Sequence, residues 1–553
     1  MRQARGLTDN TVAIESYAES VPVRTPGARG YLERARAFEQ DLHRFDEVGL
    51  RRSYHGFYFI SHYYPLRAMD EINAGTARRT VEELAGSPFE TYLHYPFCEQ
   101  ICTFCHFHKK VGCPSTIAGR EDAAVDTLIR EMEINRGILG EPISARSLQL
   151  GGGTPSLMGN DNLRRLLDAC DVNMDIQPGA EIKTEIYPKA YDEGHLREKL
   201  RIMRDFGFTE LVIDLESGNR RTLDTINRRN SSLEDYLRLV DICMSEGFDR
   251  FITALMAGLP FETYDSLHRT VETIAAIDEV RVLNVFPTIM RDTDPITRQL
   301  EKAPEGFNDA ATRDRMWLMA RDMLSDRGFV DGPISYLHRP EDRPEQQADK
   351  FECVNLMGFG PSAFGYMNGP GDDWGGQYFN YCDEISHARR IAEGQPAIWR
   401  LGRYDKTERA RRKVIFGLAN VKAENLVDIE RHFDVDIDAL YGRTFNALLA
   451  LGLIELRPEE QGIAYTAEGL ARLEEITYFL YSDFAKDRSD RLPDPGVPHY
   501  KALIDQHYTV TMDPRDRAAF EAFAAGHPPE FMYRLRPLPG ASRAVFATGA
   551  RSA

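Results

Sequence analysis

Between about residues 88 and 290 the chain alternates short β-type runs with longer amphipathic ones, and this alternation restricts the fold more than any other feature. The expected strands are TYLHY (91–95), SLQL (147–150), EIKTEIY (181–187), ELVIDLE (210–216), FITALM (251–256) and VRVLNVF (280–286). Segments such as DAAVDTLIREMEINRGIL and SLEDYLRLVDICMSEGF lie between them, with apolar residues at three- and four-residue steps, the helical period. Strand, helix, strand repeated in this way builds parallel βα units of an α/β fold. Six such units suit a partial barrel or an open doubly wound sheet, and periodicity does not separate the two.

The flanks divide the rest. Residues 1–85 read as an N-terminal extension whose Tyr/Phe-rich patch, Tyr54 to Tyr64, is expected to pack on the core. The central unit spans 86–405, with GFVDGPISY and NLMGFGPSAFGYMNG as its closing strands and turns. A polar, Pro/Gly-rich bridge from Gly369 to Gly376 is expected ahead of a helical module at 406–484. That module shows three helices, the hairpin-like LIELRPEEQGIAYT and a further helix, a winged-helix outline. Asp428, Glu430, Asp434, Asp436, Asp438, Glu459 and Glu460 make it locally acidic, which favours a structural or lid role over nucleic-acid binding. Residues 485–553 form a C-terminal extension that starts as a linker, DRLPDPGVPHY, and ends weakly patterned. The whole chain carries 68 Lys+Arg against 86 Asp+Glu, a net charge of −18, which repels phosphate backbones. No apolar run approaches the ~20 residues that span a bilayer. The opening MRQARGLTDNTVAIES lacks the apolar stretch of a secretory signal. The expectation is a cytoplasmic protein with neither a nucleic-acid nor a membrane partner.

Half of the eight cysteines, Cys98, Cys102, Cys105 and Cys113, fall within one short stretch, whereas Cys170, Cys243, Cys353 and Cys382 are scattered singly. Cys98, Cys102 and Cys105 form C-x3-C-x2-C directly after an expected strand, where α/β folds place their sites. Three thiolates on one loop can hold three irons of a cubane cluster and leave the fourth iron open, since complete ligation uses four cysteines. The alternative is zinc, with Cys113, His106 or His108 as fourth ligand. In LQLGGGTPSLM, the run Gly151, Gly152, Gly153 exposes backbone N–H groups and admits close approach to the main chain, without the G-x-G-x-x-G pattern of a dinucleotide site. Two strands end in carboxylates: Glu185 alternates away from the apolar face of EIKTEIY, and Asp214 and Glu216 share one face of LVIDLESGN. Carboxylates at the same rim as the cysteine loop favour a polar ligand.

Together these residues resemble the radical SAM superfamily. YLHYPFCEQICTFCHF, GGGTPS, AGLPFET and GFGPSAFGY are similar to the oxygen-independent coproporphyrinogen III oxidase family, which includes heme chaperones and methylene- or methyl-transferring enzymes of natural-product pathways. The likeness runs from about Tyr92 to about Tyr478 and leaves both extensions uncovered. It implies a partial (β/α)6 barrel with a C-terminal winged-helix-like module. It also implies a 4Fe-4S cluster on Cys98, Cys102 and Cys105, S-adenosylmethionine (SAM) on the open iron, and a 5′-deoxyadenosyl radical that abstracts hydrogen from a small-molecule substrate. An electron donor such as flavodoxin or ferredoxin follows from the same chemistry. By motif position, Tyr92, Gly152 and Glu185 should contact the cluster-bound SAM. Phe104, Gly153, Thr154, Arg228, Ile289 and Phe364 should lie near a second SAM.

Three positions depart from the porphyrinogen enzyme's pattern: Glu216 stands where that enzyme has glutamine, Ala254 where it has aspartate before the GLP turn, and Phe107 where it has a fourth cysteine. Glu216 therefore joins the cysteines as a candidate catalytic group. The leading expectation is SAM-derived one-carbon transfer, C-methylation or cyclopropanation, in natural-product tailoring. The alternatives are oxidative decarboxylation of coproporphyrinogen III and a non-catalytic heme chaperone. The last is disfavoured because QYFNYCDEI lacks the His and Trp of the chaperone H-N-x-x-Y-W signature.

Overall fold

A computed structural model describes residues 15–52, 63, 66–105, 107–112, 114–290, 294–334, 336–369, 373–489 and 512–536. The six expected strands are present as β1 (Phe89–Tyr95), β2 (Ile143–Gly152), β3 (Met174–Glu185), β4 (Glu210–Val212), β5 (Phe251–Ala257) and β6 (Val280–Pro287). They are mutually parallel and neighbour one another in chain order. A doubly wound sheet requires a reversal of strand order. Here there is none, so right-handed crossovers put every connecting helix on one face and the sheet coils into a partial barrel. β5 is buried along its whole length. The helix Tyr264–Ala275 begins with a Thr263/Ser266 capping box and buries Tyr264, Leu267, Val271 and Ile274. Trp317 anchors the helix Ala310–Asp326 by donating its indole N–H to the Val285 carbonyl of β6 at 2.9 Å.

Further strands continue the sheet on both sides. β7 (Tyr336–His338) runs antiparallel to β6, and β8 (Leu356–Phe359) runs parallel to β1. β9 (Phe364–Asn368), β10 (Gly375–Asn380) and β11 (Ile398–Tyr404) then form an antiparallel meander outward from β8. Gly369 to Gly376 is therefore not a bridge between units. It encloses the turn of the β9–β10 hairpin, with residues 370–372 outside the description. Two strand bounds also differ from the sequence pattern. β3 starts seven residues earlier than the alternation suggested, and β4 stops at Val212, short of the expected Glu216, where the backbone is left-handed at φ 69°.

The C-terminal module has winged-helix order. Helix Lys406–Ala419, strand Glu424–Asn425, helices Leu426–Phe433 and Ile437–Ala450, and a hairpin of Ile454–Arg457 with Gly462–Tyr465 close a three-stranded sheet. Both extensions pack on this framework. Helix Pro26–Leu42 lies against Ala310–Asp326 and Tyr264–Ala275. Of the Tyr54–Tyr64 patch, only Tyr63 is among the described residues, and its ring lies 5.0 Å from that of Tyr481. The linker-like stretch 490–511 is outside the description. The segment after it is better ordered than its pattern suggests. Helix Pro514–Ala525 stacks Phe520 on Phe479 at 4.1 Å, and Phe531 and Met532 donate their backbone N–H groups to Asp438. Among the described residues, no helix is long and apolar enough to cross a membrane.

Phe520 is 1% exposed. Phe520→Ala should cost about 3–5 kcal/mol locally, seen as lost hydrogen-exchange protection in Ile437–Ala450 with β1–β6 unaffected.

Candidate active site

The cysteine loop leaves β1 at Pro96 and is closed by a two-residue parallel pairing of Phe97–Cys98 with Lys110–Val111. Within it the Cys105 N–H reaches the Cys102 carbonyl at 3.1 Å, and Lys109 Nζ donates to the Cys105 carbonyl at 2.8 Å. The loop is pinned from outside: Thr103 N–H donates to Ile226 O, and Asn227 Nδ2 donates to Ile101 O. Cys98, Cys102 and Cys105 consequently line one cavity. Burial pushes the Cys98 thiol up to about 12 and Cys102 to about 11, the latter against the pull of Arg228. Bare thiols here stay protonated, and a bound metal centre would ionise them. His106 and Cys113 lie outside the described residues. His108 does not line this cavity: its ring lies 6.0 Å from that of His94, and its carbonyl accepts from His94 Nε2 at 3.1 Å. Among the described residues, no three His, Cys, Asp or Glu groups converge on a single-ion site.

The glycines bring the end of β2 onto this loop. Gly153 N–H donates to Tyr95 O at 2.6 Å and Thr154 N–H to Phe97 O at 2.8 Å. A Cβ at Gly153 would stand 2.5 Å from Phe97 O, and Gly152 has φ 116°. A Cβ at Gly151 would meet Glu185 Oε1 at 2.8 Å. Thr154 Oγ1 completes the contact by donating to Cys98 Sγ at 3.4 Å. The glycine run thus sets main chain against main chain and clears the floor beside Glu185.

The acidic wall is tightly held. Arg228 Nη1 lies 3.3 Å from Glu216 Oε1, Nη2 donates to the Asp214 carbonyl, and the guanidinium stacks 4.5 Å from the Tyr187 ring centroid. Glu216 Oε2 is buried and has no hydrogen-bond partner. Burial raises Glu216 to about 8 against the opposing Arg228, and burial with Asp214 and Glu216 raises Glu185 to about 8. Asp214 is turned to the backbone, accepting from Ala254 N–H at 3.1 Å. Beyond β4 the chain is fixed by backbone bonds from Glu216 N to Ala254 O and from Met256 N to Glu216 O. Ser217 donates its hydroxyl to Glu262 at 2.7 Å.

Phe104, Gly152, Gly153, Thr154, Glu185, Glu216 and Arg228 all line the cavity with the cysteines. Tyr92, Ile289 and Phe364 do not. Tyr92 sits behind Gly151, with its hydroxyl 3.1 Å from His94 Nδ1. Because the His108 carbonyl can only accept, His94 carries its proton on Nε2 and takes the Tyr92 hydroxyl hydrogen at Nδ1. Ile289 is buried beyond β6, and Phe364 packs in a ring cluster with Tyr366 and Phe379. His94 and Glu262 lie inside the motifs YLHYPFCEQICTFCHF and AGLPFET but are not among the expected site residues, and Tyr187 and Lys109 lie outside those motifs. The available clue for His94 was period two, since it shares a face of β1 with Tyr92.

Residues 92–274 match the Radical SAM superfamily. That region of the chain is a radical SAM domain by this match. The chain is 27% identical over 287 residues to "Heme chaperone HemW" of Mycobacterium tuberculosis, covering 51% of this chain and 71% of that one. It is 24% identical over 439 residues to "Oxygen-independent coproporphyrinogen III oxidase" of Escherichia coli, covering 75% and 90%. The solved structure of coproporphyrinogen III oxidase (HemN) from Escherichia coli superposes with a TM-score of 0.65 at 22% identity, over 74% of this chain and 94% of that one, which shows a shared fold. The superfamily implies a 4Fe-4S cluster and SAM for the matched region, and the chain is similar to both HemN- and HemW-type proteins.

Glu262 is fully buried, and burial raises it from 4.5 to about 8. The folded chain keeps a proton there that the unfolded chain releases, so this group's contribution to stability is lost as pH rises from about 4.5 through about 8. Glu262→Gln should flatten that part of the stability–pH profile in denaturant titrations.

Proposed function

We propose that this enzyme holds its cluster on Cys98, Cys102 and Cys105 and binds SAM beside it over Gly152 and Glu185. We further propose that it performs SAM-derived one-carbon transfer to a small-molecule acceptor. The cluster, reduced by a donor of the flavodoxin or ferredoxin class, would cleave the SAM sulfonium and supply a 5′-deoxyadenosyl radical. The donor set fits: three thiols share one cavity, and a clear floor lies beside them where a glycine-lined strand end meets a carboxylate.

The reading of the second ligand rests on one observation, the partnerless Glu216 Oε2 in a cavity richer in acids than bases. Glu99, Glu185, Asp214 and Glu216 line it, against Lys109 and Arg228. Glu99 is neutralised by Lys189 at 2.5 Å and Arg228 by Glu216. A buried carboxylate oxygen without a donor is costly, and a cationic ligand relieves it. A second SAM, carrying a sulfonium and an ammonium, has that chemistry, and Phe104, Gly153, Thr154 and Arg228 stand around the space. Phe104, packed on Leu223, Ile226 and Met256, keeps water from that side. Tyr92 supports Gly151 from behind, and Ile289 and Phe364 fall outside the contact set. The functional units we assign are 86–405 for catalysis and 406–484 as a supporting module, with 1–85 and 485–553 as braces.

A second reading, oxidative decarboxylation of coproporphyrinogen III, is favoured by the name of the Escherichia coli relative and the length of that match. A tetracarboxylate asks for more free cations than Lys109 provides. A heme chaperone role is what the name of the Mycobacterium tuberculosis relative gives.

Anaerobic iron-loaded enzyme should show a broad visible absorption that Cys102→Ala abolishes, and colourless protein holding only zinc would overturn the assignment. Reduced enzyme with SAM should release 5′-deoxyadenosine. Under turnover, S-adenosylhomocysteine should accompany product, whereas carbon dioxide release from added coproporphyrinogen III would establish the second reading.

A further inference from the structure

Four residues beyond β4 the chain adopts a left-handed conformation at Glu216, and its support can be followed through buried hydrogen bonds to the N-terminal extension. Ser217, 1% exposed, gives its hydroxyl hydrogen to Glu262 Oε1 at 2.7 Å and accepts from Asn219 N–H at 3.1 Å. Glu262 Oε2 accepts from Gly258 N–H at 3.2 Å, so one carboxylate ties Ser217 to the turn Gly258–Glu262. That turn contains a second left-handed residue, Phe261, at φ 61°. Its far side is held by Asn308, which is 1% exposed. Asn308 Nδ2 donates to the carbonyls of Leu259 and Glu262, each at 3.1 Å. Asn308 Oδ1 faces the other way and accepts from Ala18 N–H at 2.9 Å and Ser16 Oγ at 3.3 Å. Tyr17 adds its ring, edge-on to Phe261 at 5.2 Å, and donates its N–H to Phe307 O at 2.9 Å.

We propose that Asn308 is a positioning residue that couples the N-terminal segment 16–18, through the Gly258–Glu262 turn and Ser217, to the placement of Glu216 in the active site. The left-handed backbone of a non-glycine residue costs free energy and persists only where its surroundings over-determine it. Here the over-determination comes from three chain regions meeting at one carboxamide. Residues 16–18 lie beside the turn rather than in the cavity, so their influence on the site passes through the brace. This deepens the proposed function and rests on Glu216 acting as a ligand group there.

The test is a double-mutant cycle on iron-loaded full-length enzyme, reading the KM and kcat for SAM in S-adenosylhomocysteine formation, which reports on the second SAM, together with visible absorption and thermal midpoint. Glu216→Gln should raise KM, and Asn308→Ala should raise it about tenfold with the cluster absorption retained. The double variant should match Glu216→Gln alone, because a group already lost cannot be misplaced. Tyr17→Ala, outside the cavity, should shift KM in the same direction by a smaller factor, and it carries the test if Asn308→Ala does not fold. Additive effects in the cycle, or a Tyr17→Ala that lowers only the thermal midpoint, would overturn the brace. An unchanged KM in Glu216→Gln would instead overturn the reading of Glu216 on which it rests.

Discussion

Two backbone hydrogen bonds, from Gly153 to Tyr95 and from Thr154 to Phe97, hold the rim of the barrel together where the chemistry lies. They join the end of β2 to the start of the cysteine loop, and they form only because no side chain stands between the two main chains. From this junction the rest follows. Cys98 is placed under the Thr154 hydroxyl, Glu185 at the end of β3 gains an open floor, and Tyr92 is confined behind Gly151. A parallel sheet with strands in chain order brings all its carboxyl ends to one rim, and the glycine junction turns that rim into a cavity.

Charge decides what the cavity accepts. The chain is acidic as a whole, and its interior site is acidic too, with Arg228 committed to Glu216 and to the Asp214 carbonyl. Desolvation works against the ionised forms of Glu185, Asp214 and Glu216, which fits the proposed ligand that brings positive charge with it. Stacking on Tyr187 fixes the plane of the guanidinium in the cavity, and Glu216 Oε2 is left without a hydrogen-bond partner. The polarity of the ligand follows from this arrangement of buried groups more directly than from net charge.

The six parallel strands were legible because both their period and their spacing are regular, and the C-x3-C-x2-C loop was legible because few chemistries need that spacing. What was not legible depended on long-range contacts. Gly375 and Gly376 have the composition of a linker, yet they sit in β10 because Tyr404 and Arg409 crowd the position a Cβ at Gly375 would take. The β4 alternation pointed to a strand through Glu216, but the chain is left-handed there, held by the Glu216 backbone bonds with Ala254 and Met256 and by the bond from Ser217 to Glu262. Asn308 looks like any loop asparagine until the extension folds over it. The tail helix buries only Phe520 and Ala524, too few residues to leave a helical period.

That tail also changes how the winged-helix outline should be understood. In such a module the third helix is the one that enters a nucleic-acid groove, and here that helix is Ile437–Ala450. Its face is covered by the chain's own C-terminal segment. Arg443 donates to the carbonyls of Ala525 and His527, Asn446 to those of Pro528 and Glu530, and Phe445 packs on Phe531 at 5.4 Å. Gly442 is the close-approach point, where the backbone of Pro529 lies directly over the helix. An arginine and an asparagine that could have faced phosphates are spent on carbonyls, and acidic side chains surround them. The same tail reaches back to the N-terminal extension, where Phe520 and Asp516 pack around Gly49. The two segments the family pattern does not cover therefore meet each other, one covering the module's third helix and the other reaching Asn308 beside the Gly258–Glu262 turn.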